Sequence, residues 1–444
     1  MRISLIHEKG DSYELTSLFR DNAVELNNAK DLDLLLDAIG NARYVLLGEA
    51  SHGTHEYYTW RSVISRRLLL EKGFSFIAVE GDWPDCYRVN RYIKGYPDAG
   101  QHAREVLAAF NRWPTWMWAN WEIVALAEWL RKHNDGLPAG KRAGFYGLDV
   151  YSLWESLEAI IRYLDKTDKK AKETALEAWR CFEPYSGEEG QGYARATMDS
   201  WVPASCETEV VALLTEIRNK MTLYNTDPEA VLNVERNAMT VVNAEKYYRA
   251  MVKGGPRSWN IRDHHMVDTL HKLMDFHGPS AKAIVWEHNT HIGDARATDM
   301  RLDGMVNVGQ LLNEMHAEEG VFATGFGSYR GTVIAGRYWD DVMRKMTVPP
   351  AQVNSWEYML HQAGKKNRLL LMNEPMKKIL GEKEFGHRAI GVVYNPQREG
   401  GNYVPSIMSL RYDAFIYLDE TRALLPLHIE PDGKQMPETY PFGM

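Results

Sequence analysis

A chain of 444 residues, 45% hydrophobic and 25% charged, exceeds the roughly 250–300 residues at which a single core stops growing, so a main domain with a lobe or large insertion is expected and long disorder is excluded. Its 52 Lys and Arg against 60 Asp and Glu give a net charge of −8, and no run of like charge is long enough to grip a polyanion, so nucleic acid is not an expected partner. The opening MRISLIHEKG lacks an apolar stretch with a cleavage site, and no later segment approaches the ~20 uninterrupted apolar residues of a membrane span. Three scattered cysteines, Cys86, Cys181 and Cys206, form no CxxC pair, which suits a reducing cytoplasm.

In chain order, short apolar runs closed by Gly, Asp or Asn predict buried strands at Arg43–Gly48, Ser75–Glu80, Ala143–Asp149, Ala281–Trp286, Val321–Phe326, Arg388–Tyr394 and Ala414–Leu418. Between the first two, Tyr57, Trp60, Ile64 and Leu68 recur at helical spacing until Gly73. The strand–helix–strand rhythm predicts an α/β fold with a largely parallel central sheet flanked by helices. From about Ser152 to His277 the pattern turns into long, charge-rich helical stretches, read as a helical insertion over a cleft. The expected division is residues 1–151 and 278–444 as two parts of the α/β domain and 152–277 as the insertion, with an exposed loop at Glu183–Gln191.

Ligands bind an open parallel sheet outside the carboxyl ends of its strands. Those ends read Glu49 and His52, then Glu80 and Asp82, then Asp149, then Glu287, His288 and His291. One acidic residue after a strand is usually a cap or a turn former, whereas four successive strands delivering ionisable groups to one rim suggest a site. In LLGEASHGTHE, Gly48 and Gly53 allow tight turns that bring Glu49 close to His52, the arrangement of a general base with a carboxylate beside it. The plainer alternative is that Ser51 or Thr54 caps the helix and His52 only packs. Arg61, on the apolar side of the next helix, either pairs with Glu49 or Glu80 or binds a developing oxyanion. Glu80 in VEGDWPD could orient His52, hold water, bind a metal or cap a helix. His288 and His291 in VWEHNTHIGD could ligate a metal, donate to an oxyanion, shuttle a proton or serve structure.

The aromatic block Asn111–Glu122 either lines a pocket for an apolar substrate or fills the core. His264 and His265 read as surface or packing residues, and Cys86 as a buried thiol. The sequence contains no GxSxG, GxxxxGK[ST] or HExxH motif, and GFGSYRG at Gly325 fails the dinucleotide spacing. Serine-hydrolase, P-loop and Rossmann-cofactor readings lose their support.

GEASHGT from Gly48, VEGDW from Val79 and WEHNTHIGD from Trp286, with WPTWMWAN and YGLDVYSLW, resemble the erythromycin esterase family. That family includes macrolide-inactivating resistance esterases and bacterial homologues, some labelled succinoglycan-biosynthesis proteins. The resemblance implies that His52 is the base that activates water, with Glu49 in a Glu-x-x-His element. It also implies that Arg61 and Glu80 match active-site positions, that His288 and His291 bind and polarise the substrate carbonyl, and that a helical lobe roofs a deep cleft. No metal or cofactor is implied, and the expected partner is a small-molecule ester or lactone. Two alternatives stand beside this hydrolase: a metal-dependent one ligated by His52, Glu80 and His288 or His291, and a non-catalytic binding protein.

Overall fold

The structure is a computed structural model that describes residues 9–188, 191–198, 205–221, 224, 227 and 229–429. Its strands are β1 (Val24–Glu25), β2 (Tyr44–Leu47), β3 (Phe76–Asp82), β4 (Gly144–Asp149), β5 (Ala283–Trp286), β6 (Val321–Ala335), β7 (Arg344–Val348), β8 (Arg368–Leu371), β9 (Glu384–Arg388), β10 (Tyr403–Ile407) and β11 (Ala414–Thr421). One sheet runs β1-β8-β11-β6-β2-β5-β3-β4, with β7 paired to β6, and β9 and β10 form a separate hairpin. From β11 to β4 the pairings are parallel; β8, β1 and β7 add antiparallel margins. The expected α/β architecture with a mainly parallel, helix-flanked sheet is therefore what the chain adopts.

Strands β2 to β5 are buried throughout, as central parallel strands covered on both faces must be, and this is why their sequences are apolar runs rather than alternations. Alternate side chains feed two cores. Val45, Ile77, Phe145 and Trp286 face the helices His55–Glu71 and Trp121–Asp135, and Leu46, Ala78, Leu148 and Val285 face the helix Arg257–His277. Between β4 and β5 the described residues form helices Leu153–Thr167, Lys169–Phe182, Gln191–Ala196, Glu207–Asn219, Ala230–Met251 and Arg257–His277 and no strand. The first five share a core of their own built on Leu157, Ala175, Leu213 and Val241. The sixth does not belong to it: Met266, Leu270 and Leu273 pack on the sheet.

Three expectations need correction. Arg388–Tyr394 is not a strand: β9 ends at Arg388, and Ile390 and Val393 make only isolated bridges to Ser51 and Gly336. Its apolar residues Ile390 and Tyr394 instead cover Val333 and Val348 of the β6–β7 hairpin. Cys181 and Cys206 are not scattered thiols but a disulfide, a bond that a reducing compartment would not ordinarily keep; Cys86 alone is free, and it is buried. The expected loop at Glu183–Gln191 falls partly outside the described residues, and its Glu183–Glu188 portion is a 3-10 turn. Among the described residues no helix is long and apolar enough to cross a membrane.

Candidate functional site

The β2–helix turn shows why glycine is needed at two positions. A Cβ on Gly48 would stand 2.1 Å from Asn289 Oδ1, and one on Gly53 would stand 1.9 Å from the Ile334 carbonyl oxygen. Neither has a positive φ, so glycine serves close approach here rather than the tight turning expected from sequence. The turn is thereby pressed against β6 and the segment after β5. Thr54 stands at the N-cap of the helix His55–Glu71 without a side-chain cap bond; its hydroxyl is tied instead to that of Ser51.

Within this turn His52 Nδ1 donates to Glu49 Oε1 at 2.8 Å, and Arg61 Nη2 donates to Glu49 Oε2 at 2.5 Å. Arg61 is wholly buried, its guanidinium 4.4 Å from the Tyr58 ring centre and 4.7 Å from that of Trp286. Those aromatic faces solvate the part of the cation that has no carboxylate. Of its two sequence-based alternatives, Arg61 thus takes the ion pair.

On the other side of His52, Nε2 lies 4.0 Å from Glu80 Oε1. Glu80 Oε2 accepts the His288 backbone N–H at 2.8 Å, and Oε1 accepts Arg262 Nη2 at 2.6 Å. Arg262 also donates through Nε and Nη2 to Asp149, at 2.9 and 2.6 Å, and through Nη1 to His291 Nε2 at 3.0 Å. Since a guanidinium only donates, His291 Nε2 accepts, and its Nδ1 directs hydrogen to Asp263 Oδ1 at 2.9 Å. Trp259 stacks on His291 with ring centres 4.5 Å apart. His288 lies beside His52, ring centres 4.9 Å apart, and its buried Nε2 has no hydrogen bond of good geometry among the described residues. All six expected residues, Glu49, His52, Arg61, Glu80, His288 and His291, therefore meet at the carboxyl ends of the adjacent strands β2, β5 and β3, with Asp149 of β4 joined through Arg262.

Charge at the site follows from burial set against neighbours. Burial would lower the His52 pKa, but the carboxylates of Glu80 and Glu49 outweigh it and hold the imidazole above its ordinary 6.5. Burial pushes Glu80 up, yet His291, Arg262 and His52 more than reverse this, so it stays far below the usual carboxylate range. His288 falls well below 6.5 through burial and the neighbouring His52. Glu287, fully buried with neither carboxyl oxygen hydrogen-bonded among the described residues, is raised well above 4.5 by burial and by Glu80.

A cavity of about 130 Å³ opens on this cluster. It is lined by His52, Glu80, Asp82, Asp149 and Arg262, and walled by Phe110, Trp113, Trp118, Tyr151 and Trp339. Arg61, His288 and His291 are not among its lining residues. The aromatic block divides its roles: Trp113 and Trp118 face the cavity, while Trp116 and Trp121 are core. A second cavity of about 520 Å³ shares Asp85 and Arg112 with the first and is bordered by Glu155, Arg162 and Asn233 of the helical segment. Among the described residues no group of three or more His, Cys, Asp or Glu is set to hold a metal ion. The space between Glu80, Asp149 and His291 is filled by the Arg262 guanidinium.

In the sequence His264 and His265 draw attention, whereas the residues that reach the site are their neighbours Arg262 and Asp263. His264 is exposed, and His265 is buried with Nδ1 bonded to Asn243. The available signal was that Trp259, Arg262 and Met266 share one stripe of the helix, placing an arginine on its buried face.

Comparison with known proteins places the chain among relatives in sequence and fold. The profile described as Erythromycin esterase matches residues 69–421. Erythromycin esterase type II of Escherichia coli is 22% identical over 344 residues, which is 70% of this chain and 74% of that protein. Among solved structures, a Bacillus cereus protein superposes with a TM-score of 0.76 at 19% identity, covering 94% of this chain and 99% of its own. A succinoglycan biosynthesis protein gives 0.73 at 21% identity, with coverage of 94% and 100%. A mutant of the erythromycin esterase EreC in its open conformation gives 0.64 at 17% identity, with coverage of 89% and 95%.

Proposed function

The chain belongs to the erythromycin esterase family, and from that premise we propose that it hydrolyses a carboxylic ester or lactone with a water molecule deprotonated by His52. One observation carries the reading: His52 Nδ1 is committed to Glu49 while Nε2 lies 4.0 Å from Glu80 Oε1 at the cavity wall. An ionised carboxylate only accepts, so Nδ1 holds the imidazole hydrogen and Nε2 keeps its lone pair for a proton. Two polar atoms at that separation suit a bridging water, which Glu80 orients as His52 takes its proton. Glu49, held by Arg61, stabilises the imidazolium that forms. His288 and His291 complete the site from behind, the first beside the His52 ring and the second fixing Arg262.

The small cavity takes the reacting carbonyl and the larger one the rest of the substrate, with helices Leu153–Thr167 and Ala230–Met251 as its roof. Macrolide lactones are candidate substrates because the Escherichia coli relative is named an erythromycin esterase, and their hydrolysis would confer antibiotic resistance. Wild type and His52→Ala assayed together on macrolides, simple lactones and aryl esters test the reading. At least one ester is turned over, a folded His52→Ala variant loses about 10²–10⁴-fold, and chelators change nothing. Wild-type turnover by that variant overturns the proposal; stoichiometric metal with chelator-sensitive turnover would replace it with the metal-dependent alternative.

A further inference from the structure

The hydrolytic reading leaves one role unfilled at the cavity surface. Ester attack puts negative charge on the carbonyl oxygen, and a donor must face the place where that charge develops. Arg61, for which the sequence left either an ion pair or an oxyanion role, is buried behind Glu49, and His288 and His291, expected to polarise the carbonyl, do not line the cavity. Two cations do line it, Arg112 and Arg262. Arg112 is held by Asp82 through Nε at 2.5 Å, whereas Arg262 is bonded directly to Glu80, the carboxylate nearest His52 Nε2.

Counting hydrogens singles out one atom. A guanidinium has five N–H groups in a fixed plane. Arg262 spends Nε–H and one Nη2–H on Asp149, the second Nη2–H on Glu80 and one Nη1–H on His291. The other Nη1–H has no partner among the described residues. The fork is braced by these three residues and by the Tyr151 ring, 4.8 Å from the guanidinium carbon, so the spare hydrogen points in a direction set before substrate arrives. Such pre-alignment is what makes a donor effective in the transition state.

We propose that Arg262, supplied by the helix Arg257–His277, donates its remaining Nη1 hydrogen to the scissile carbonyl oxygen and is the electrophilic catalytic residue of this site. The inference rests on the hydrolysis proposed above. His52 Nε2 takes a proton from water as the water oxygen bonds to the carbonyl carbon, and the carbonyl π pair moves onto the oxygen held by Arg262. When that pair returns, the bond to the alcohol oxygen breaks, and the departing alkoxide recovers the proton from His52 Nε2. Ester and water give acid and alcohol, with no other reactant.

Arg262→Lys keeps a positive charge for Glu80 and Asp149 but cannot reproduce the fork; Arg262→Ala removes the group altogether. With an aryl acetate as substrate, both variants lower kcat by about 10²–10³-fold, the range for loss of one oxyanion donor, with little change in KM. Guanidinium ion added at millimolar concentration restores part of the Arg262→Ala rate. Calorimetry with an alkyl phosphonate monoester, a tetrahedral anion resembling the intermediate, reads the same donor without turnover, and affinity falls at least tenfold in Arg262→Lys. If folded Arg262→Lys keeps wild-type kcat and phosphonate affinity while His52→Ala is inactive, the role of Arg262 is overturned and hydrolysis stands. If His52→Ala keeps full turnover, or the wild type neither hydrolyses the ester nor binds the phosphonate, the underlying reading fails and this inference with it.

Discussion

The base proposed at His52 acts only when it has lost its proton, and its carboxylate neighbours make that loss harder. With its pKa held above 6.5 by Glu80 and Glu49, kcat/KM should climb with pH along a limb whose midpoint lies above 6.5, and Glu49→Gln should move the midpoint down while lowering the plateau. Stability runs the opposite way. A histidine raised on folding contributes stability fully below its unfolded pKa and loses it as the pH rises through the folded value, so the proposed activity should rise and this contribution be shed over one window. Glu287 gives a second residue-scale test. Its carboxyl is raised well above 4.5, so the fold holds a proton that the unfolded chain has released, and stability falls as the pH climbs above about 4.3. Glu287→Gln lacks that dependence, and its stability relative to wild type in urea titrations should improve steadily from pH 5 to pH 8. A constant difference across that range would show that Glu287 is ionised in the fold.

Between residue and fold stand the turns and helices that carry these groups. The β2–helix turn tolerates no side chain at Gly53, where a Cβ would meet the Ile334 carbonyl oxygen at 1.9 Å. Gly53→Ala should cost about 3 kcal/mol, near the upper end for overpacking, and should also impair turnover because it displaces His52; denaturant melts and kcat read the two effects. The disulfide acts on a different element. Cys181 closes the helix Lys169–Phe182 and Cys206 opens the helix Glu207–Asn219, with a sequence separation of 25. A loop of that size implies about 3.5 kcal/mol of chain-entropy stabilisation. Cys206→Ser should therefore speed amide hydrogen exchange in the helices that share the Leu157–Leu213 core while leaving exchange in β2 and β5 unchanged. Uniformly faster exchange would mean that the helical segment and the sheet unfold together.

Across the whole molecule, the rim was legible because central parallel strands are short apolar runs with hard edges, so Glu49, Glu80, Asp149 and Glu287 could be read as the first polar groups where each run ends. Their adjacency was less legible. The sheet order β2-β5-β3-β4 inserts a strand from late in the chain between two early ones, and periodicity says nothing about that crossover. Arg388–Tyr394 misled because an apolar run covering a hairpin looks like a strand within a sheet. Arg262 was hidden by its setting: charged residues on a helix are normally solvated, and only its register with Trp259 and Met266 betrays an inward-facing arginine. What these pieces jointly support is attack by water rather than by a side chain. A single turnover with enzyme in excess over ester, in water enriched in heavy oxygen, tests that most directly. The account expects one heavy oxygen in the released acid and a protein of unchanged mass. Unlabelled acid in the first turnover, with heavy oxygen left on the Glu49 or Glu80 carboxyl, would contradict it.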